Sequence, residues 1–182
     1  MAFFLLFFSA CAKTPYPKNS YGLVYVTNGV SFELLPPENI EKNLDMPQRI
    51  SGAYGKNQFD INAWVKADKN EITMELFNDM GSSLGTLVYT GRELHFTSSF
   101  FPRNLKAEYA VADFQFCFYD AKALQAALGG LSLKTQTDTS GTETRLIYDG
   151  DKCIIEIEKK SNLVTYTNHL RGYAYTIQGN FP

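Results

Sequence analysis

Phe8-Ser9-Ala10-Cys11 places a nucleophilic thiol directly behind two small residues and an apolar run, Phe3 to Phe8. That order is the one a lipoprotein signal uses. Phe3 to Phe8 offer the export machinery an apolar stretch, Ser9 and Ala10 leave room for a peptidase, and the Cys11 thiol accepts a diacylglyceryl group. Residues 1–10 are therefore expected to be a signal peptide, with the mature chain starting at Cys11. Met1 to Phe8 fall far short of the roughly 20 residues that span a bilayer as a helix, so the expected anchor is acyl chain on Cys11, at about 0.8 kcal/mol per buried methylene. The competing reading is a buried apolar strand with an incidental cysteine. The polar, proline-bearing run Ala12 to Ser20 argues against it, and residues 11–29 read as lipidated N-terminus and tether.

Other reactive residue types form no catalytic constellation. His95 and His169 stand in no metal-ligand spacing, and no Cys-x-x-Cys is present. Ser82-Ser83 and Ser98-Ser99 lack the glycine setting of a nucleophile elbow, and no glycine-rich loop opens a helix after a strand. Glu156 and Glu158 alternate with Ile155 and Ile157, which is the solvated face of a strand. His169-Leu170-Arg171 reads as a surface loop, with a polar rim or head-group contact as the alternative. No catalytic residue, metal or cofactor is assigned. Cys117 and Cys153 are open to a disulfide in an exported protein, yet their apolar neighbours equally fit free buried thiols.

The elements that position these residues follow from hydropathy. Gln48 to Tyr54 and Phe59 to Val65 alternate as two strands around Gly55-Lys56-Asn57. Glu71 to Leu76, Leu84 to Tyr89 and Arg92 to Thr97 extend them into a five-stranded meander. From Ala107 to Tyr119 the apolar period becomes helical, with Ala107, Ala110, Val111, Phe114, Cys117 and Phe118 on one face and Glu108, Asp113 and Gln115 elsewhere. Asp120 is placed to cap a second helix, Ala121 to Leu128, which Gly129-Gly130 ends. Strands resume at Leu131 to Gln136, Arg145 to Tyr148, Cys153 to Glu158, Leu163 to Thr167 and Gly172 to Ile177. The expected fold is mainly β with a helical insert: one domain, residues 30–182, an antiparallel sheet curled around one apolar face with the helices in its mouth. Between the third and fourth strands, Met80 stands at the tip of a polar turn, where an apolar side chain gains nothing from folding unless something covers it. The formal net charge of −2 provides no basic field for nucleic acid.

Taken together, Phe8-Ser-Ala-Cys11, the strand-loop-strand Ile72 to Val88 and the strand-then-helix order that follows resemble the LolB outer-membrane lipoproteins. The segment Leu44 to Ala127, with Gly85-Thr-Leu-Val-Tyr-Thr-Gly91 and Tyr109-Ala-Val-Ala-Asp-Phe-Gln-Phe-Cys-Phe118, is similar to uncharacterised LolB-like bacterial lipoproteins. The resemblance implies a half-open antiparallel β-barrel of the LolA/LolB type with helices covering the mouth. It implies location at the periplasmic face of the outer membrane and a periplasmic carrier protein as partner, while the missing catalytic constellation points to no enzymatic activity. It also implies an apolar cavity for lipid or lipoprotein acyl chains, lined here by Ile61, Ala63, Met74, Leu76, Leu87, Phe96, Val111 and Phe114. Met80 occupies the place of a protruding apolar residue that helps deliver cargo to the membrane, and Asp79 beside it departs from that pattern. The alternative function is a filled-core envelope scaffold that binds a protein partner. An enclosed apolar space favours the carrier, and a packed interior favours the scaffold.

Metabolic labelling with a palmitate analogue is expected to mark the wild-type protein and to spare Cys11→Ser. Equal labelling of both would remove the anchor from this position.

Overall fold

A computed structural model of the chain describes residues 23–98, 100–101 and 106–182. Cys11 and the expected signal and tether up to residue 22 lie outside the described residues. Two short strands, β1 (Val24–Tyr25) and β2 (Ser31–Phe32), pair with each other and lead through a 3-10 turn at Pro37–Asn39. Five strands follow: β3 (Leu44–Tyr54), β4 (Asn57–Ala67), β5 (Ile72–Phe77), β6 (Ser83–Tyr89) and β7 (Leu94–Thr97). After the helices α1 (Ala107–Phe118) and α2 (Ala121–Ala127) come β8 (Ser132–Thr137), β9 (Glu143–Asp149), β10 (Lys152–Lys159), β11 (Leu163–Asn168) and β12 (Tyr173–Gln178).

The large sheet has ten strands in the order β7-β6-β5-β4-β3-β12-β11-β10-β9-β8. Every neighbouring pair is antiparallel. Two meanders are thus joined where β12 pairs with β3, and β7 and β8 remain as edges. The fold is mainly β with a helical insert, and its sheet is not closed into a barrel. Alternation gives the sheet two unlike faces. Val65, Leu87, Ile147, Ile157, Val164, Tyr166 and Ile177 are buried on the inner face. The outer face is polar: Arg49 grips Asp60 at 2.5 Å, and the Trp64 Nε1 donates to Asp45 across the strands at 2.9 Å.

At the end where β4 leaves and β5 enters, the inner face is tightly closed. Ala67, Ile72 and Tyr89 have no exposed surface, and the Tyr89 hydroxyl donates to the carbonyls of Leu34 and Leu35. The β6–β7 turn needs glycine here: Gly91 has φ +82°, and a Cβ on it would lie 2.9 Å from Pro37 Cδ.

The helices form where their pattern places them, and Asp120 caps α2 by accepting from the backbone N–H groups of Lys122 and Ala123. The sequence gives α1 one apolar and one polar face, but the structure buries it on both sides. Gln115, on the expected polar side, is fully buried. Its amide donates to the Leu35 carbonyl at 2.7 Å and accepts from the Leu35 N–H at 2.9 Å. The reason is tertiary: the segment before β3 packs on the side of α1 away from the sheet, with the Phe32 and Phe116 rings 4.9 Å apart. Val24 and Val26 are already in the core, so the packed chain includes residues that read as tether.

Arg145 fixes α1 to the sheet. It alternates inward with Ile147, has no exposed surface, and every side of its guanidinium is bonded. Nε donates to Glu143 at 2.6 Å, one terminal nitrogen to Glu41 at 2.7 Å, and the other to the Phe116 and Tyr119 carbonyls at the end of α1. Lys159 closes the network, 3.2 Å from Glu41 and 2.9 Å from Glu143. Burial opposes the charge on Glu143, but Lys159 and Arg145 outweigh it and hold its pKa below the ordinary value. Arg145→Met leaves two helix carbonyls without their donor and Glu41 and Glu143 with Lys159 alone, and breaking such a buried pair costs about 3–5 kcal/mol. A fall of that size in urea-unfolding stability is the expected result, whereas a loss under about 1 kcal/mol would make the network peripheral.

Candidate functional site

The opposite end of the inner face is incompletely covered. Successive hairpins and strand ends bring the β3–β4 turn, the β5–β6 turn, the end of β7 and the β11–β12 turn to one edge of the sheet. Toward it the inner face changes from closed to half-open. Ile50, Ile61, Met74, Leu76, Phe96 and Phe101 are all half-buried, and Phe59 is 36% exposed. The cross-strand register makes one floor of them: Ile50 faces Ile61, Ala63 faces Leu76, and Leu87 faces both Met74 and Phe96. Around this end stand exposed apolar residues that need no solvent: Met80 at 88%, Phe100 at 67%, and Leu170.

The eight residues expected to line a cavity therefore divide. Ile61, Met74, Leu76 and Phe96 lie on the half-open floor. Ala63 and Leu87 lie beneath it, buried. Val111 and Phe114 lie in the closed core, where the Phe114 ring packs 4.9 Å from Phe118. Met80 is at the tip of its turn, as its sequence setting predicts. Asn78 makes that turn by accepting from the N–H groups of Met80 and Ser82. Asp79 does not stand free beside it, for its carboxylate accepts from Asn62 Nδ2 at 3.1 Å, back on β4.

Asp113, on the polar side of α1 by pattern, completes the site. It faces three inner-face tyrosines. Tyr166 Oη donates to Oδ1 at 2.6 Å, Tyr173 Oη donates to Oδ2 at 2.8 Å, and the Tyr175 hydroxyl adds a third favourable interaction. The rings stack nearly parallel, Tyr166 on Tyr175 at 4.8 Å between centroids and on Tyr173 at 5.8 Å. Burial pushes the Asp113 carboxyl up to about 6, while the three hydroxyls favour its charged form. Burial and the charge of Asp113 together raise the pKa of all three tyrosines. A signal for this cluster was in the sequence: Tyr166, Tyr173 and Tyr175 share a strand face, and Asp113 is the acid that interrupts the helix's apolar run. What the sequence lacked was the docking angle of α1.

The remaining reactive groups are occupied elsewhere. His169 pairs with Glu156 at 3.1 Å and His95 with Glu93 at 3.0 Å, both on the surface. Cys117 and Cys153 are free thiols, and burial pushes Cys117 up to about 12. Among the described residues no group of acids, histidines and cysteines could hold a metal ion, and no helix is long and apolar enough to cross a membrane. A cleft of about 330 Å³ lies at the closed end, between Glu41, Lys42, Phe118, Lys159 and Phe181. Glu41 and Lys159 in its walls belong to the Arg145 network, Lys42 bonds the Pro182 carbonyl, and none of the eight expected cavity residues lines it.

The model of a family described as a protein of unknown function, DUF3261, matches residues 45–179. The match takes in nearly all of the ten-stranded sheet, both helices, the half-open floor and the Asp113 cluster. No curated protein matches the chain.

The raised pKa of Asp113 has a definite sign in stability. An aspartate with an ordinary value of 3.8 ionises earlier in the unfolded chain, so the folded protein binds the extra proton between there and about 6. Its stabilising contribution is complete below the lower value and is lost as pH rises through the upper one. Asp113→Asn does not titrate. The urea midpoint of the wild type relative to this variant is therefore expected to fall as pH rises from about 4 to about 7. Parallel profiles would show that the carboxyl is not desolvated.

Proposed function

We propose that this chain, which belongs to the DUF3261 family, is a membrane-anchored lipoprotein of the LolB type that holds acyl chains of lipids or lipoproteins in the half-open face of its sheet. The observation that carries this reading is the gradient along one face: closed over Ala67, Ile72 and Tyr89, and half-open over Ile50, Phe59, Ile61, Leu76 and Phe96. Each half-buried apolar side chain of this floor still forgoes part of the about 1.5–3 kcal/mol that full burial would give. An acyl chain laid on the floor recovers it at about 0.8 kcal/mol per methylene, with no covalent chemistry. In this reading the curled sheet is a half-open barrel of the LolA/LolB kind, and α1 and the chain beside it cover the mouth.

The rim suits transfer. Met80 is flexible and apolar, and Phe100 and Leu170 accompany it at the same edge. With Asp79 turned back onto Asn62, the tip presents methionine first. Cys11, acylated, tethers the domain to the outer membrane from its periplasmic side, within reach of a carrier protein that brings cargo. The second reading, an envelope scaffold with a filled core, draws on the tight packing of Val111 and Phe114. The two readings differ in what the floor does when an acyl chain is offered.

A neutral monoacylglycerol with a fluorescent chain is expected to bind the delipidated protein, and Leu76→Asp to abolish that binding. No binding by the wild type would favour the scaffold. Met80→Glu is expected to leave the unfolding free energy within about 0.5 kcal/mol of wild type, as exposed substitutions do, yet to stop transfer of bound probe to liposomes, since a charge at the tip opposes insertion into hydrocarbon. Unchanged transfer would reduce the loop to a turn.

A further inference from the structure

The half-open floor ends against a charge. Tyr166, Tyr175, Gly52 and Phe59 lie side by side on the inner faces of β11, β12, β3 and β4. Strands are spaced about 4.8 Å apart, so the floor begins roughly 10 Å from the tyrosines that hold Asp113. The gap between is filled by an aromatic ring reaching over glycine: a Cβ on Gly52 would lie 2.5 Å from Tyr175 Cβ and 2.8 Å from Phe59 Cζ. Only glycine lets Phe59 and Tyr175 meet there, which makes the apolar floor continuous with the polar cluster. Asp113, Tyr173 and Tyr175 each keep part of their surface exposed, although the carboxyl itself is strongly desolvated.

We infer that Asp113 and its tyrosines form the head-group end of this floor, and that the ligand is a single-chain amphiphile with a positively charged, ammonium-type head. The inference rests on the acyl-chain reading above and adds to it the chemistry of the head. Tyr166 and Tyr173 satisfy the carboxylate oxygens with hydrogen bonds but bring no positive charge. The nearest cation, Arg171, is engaged elsewhere: its guanidinium lies 5.3 Å over the Tyr109 ring and donates to the Tyr25 carbonyl. Arg171 favours the charged form of Asp113 from a distance but makes no ion pair with it. A desolvated carboxylate with no cation in contact gains most from one, and the stacked tyrosine rings offer that cation aromatic faces as well. A carboxylate head is repelled at the same point, and a hydroxyl head gains only a hydrogen bond.

Dodecylammonium, dodecanol and dodecanoate share one chain length and differ only in the head. Each is titrated into the whole protein at neutral pH, displacing the fluorescent monoacylglycerol. Dodecylammonium is expected to bind about tenfold tighter than dodecanol, with dodecanoate weakest, and Asp113→Asn is expected to bring all three within about twofold. Equal affinities in the wild type, or an ammonium preference that survives in a folded Asp113→Asn, overturn the head-group assignment while acyl binding stands. Failure of the probe to bind, or of all three to displace it, overturns the acyl reading itself. A second measurement needs no variant. The ammonium-to-dodecanol ratio of the wild type should fall toward one as pH drops from about 7.5 to about 4.5, where Asp113 takes up a proton. The other groups facing it, Tyr166 on β11, Tyr173 and Tyr175 on β12, Arg171 in the turn and Cys117 on α1, belong to classes that do not titrate there. A flat ratio overturns the assignment.

Discussion

One buried cation decides how this protein is put together. Arg145 sits on β9 with its guanidinium wholly inside, and its partners come from three separate parts of the chain: Glu143 on its own strand, Glu41 ahead of the sheet, and the last carbonyls of α1. A buried guanidinium is tolerated only where its donors are satisfied, so the three parts must arrive together. The end of α1 is where its dipole is negative, and a cation there is favoured twice. Lys159 then balances the two glutamates that Arg145 alone would leave in excess. The ten-stranded sheet supplies area, but the position of the helix across it is set at this point.

From that pin the rest of α1 follows. Its last turn is held over β9, Gln115 is clamped to Leu35 on its far side, and one turn earlier Asp113 meets Tyr166 and Tyr173. The helix therefore carries two polar contacts of opposite character to the same sheet. The one at Arg145 is an ionic network with its charges paired, and it closes its end of the molecule. The one at Asp113 is made of tyrosine hydrogen bonds, with Arg171 acting only from a distance, and lies where the inner face opens.

The two meanders have different duties. β8 to β12 face α1 and hold the paired charges and the stacked tyrosines. β3 to β7 are covered by the segment before β3 at one end and, among the described residues, by little at the other, and their turns carry Met80 and the half-open floor. Their junction, β3 against β12, is where Gly52 lets Phe59 reach Tyr175. Replacing that glycine would separate floor from cluster by crowding backbone as well as side chain, for a Cβ there would also lie 2.6 Å from the Ala174 carbonyl.

Alternation by itself determined the strands, because a period of two needs no partner to be read. Ten strands, the five-stranded run, the Asp120 cap and the exposed tip at Met80 were all legible from neighbours within a few residues. That Ile61, Met74, Leu76 and Phe96 face inward was legible for the same reason: inward parity places a residue on the face, whatever covers that face. Coverage was not legible. Val111 and Phe114 have the same apolar character as Leu76, yet they are closed off because the segment from Val24 to Ile40 packs over the helix, and a contact across some 80 residues leaves no local periodicity. The same holds for the charges. Arg145 keeps inward parity with Ile147, but only the arrival of Glu41 and the helix carbonyls makes that position a satisfied one, and Asp113 is a surface acid by pattern until the docking of α1 turns it onto the tyrosines. Parity is a property of the chain; burial and charge partnership are properties of what the chain is packed against.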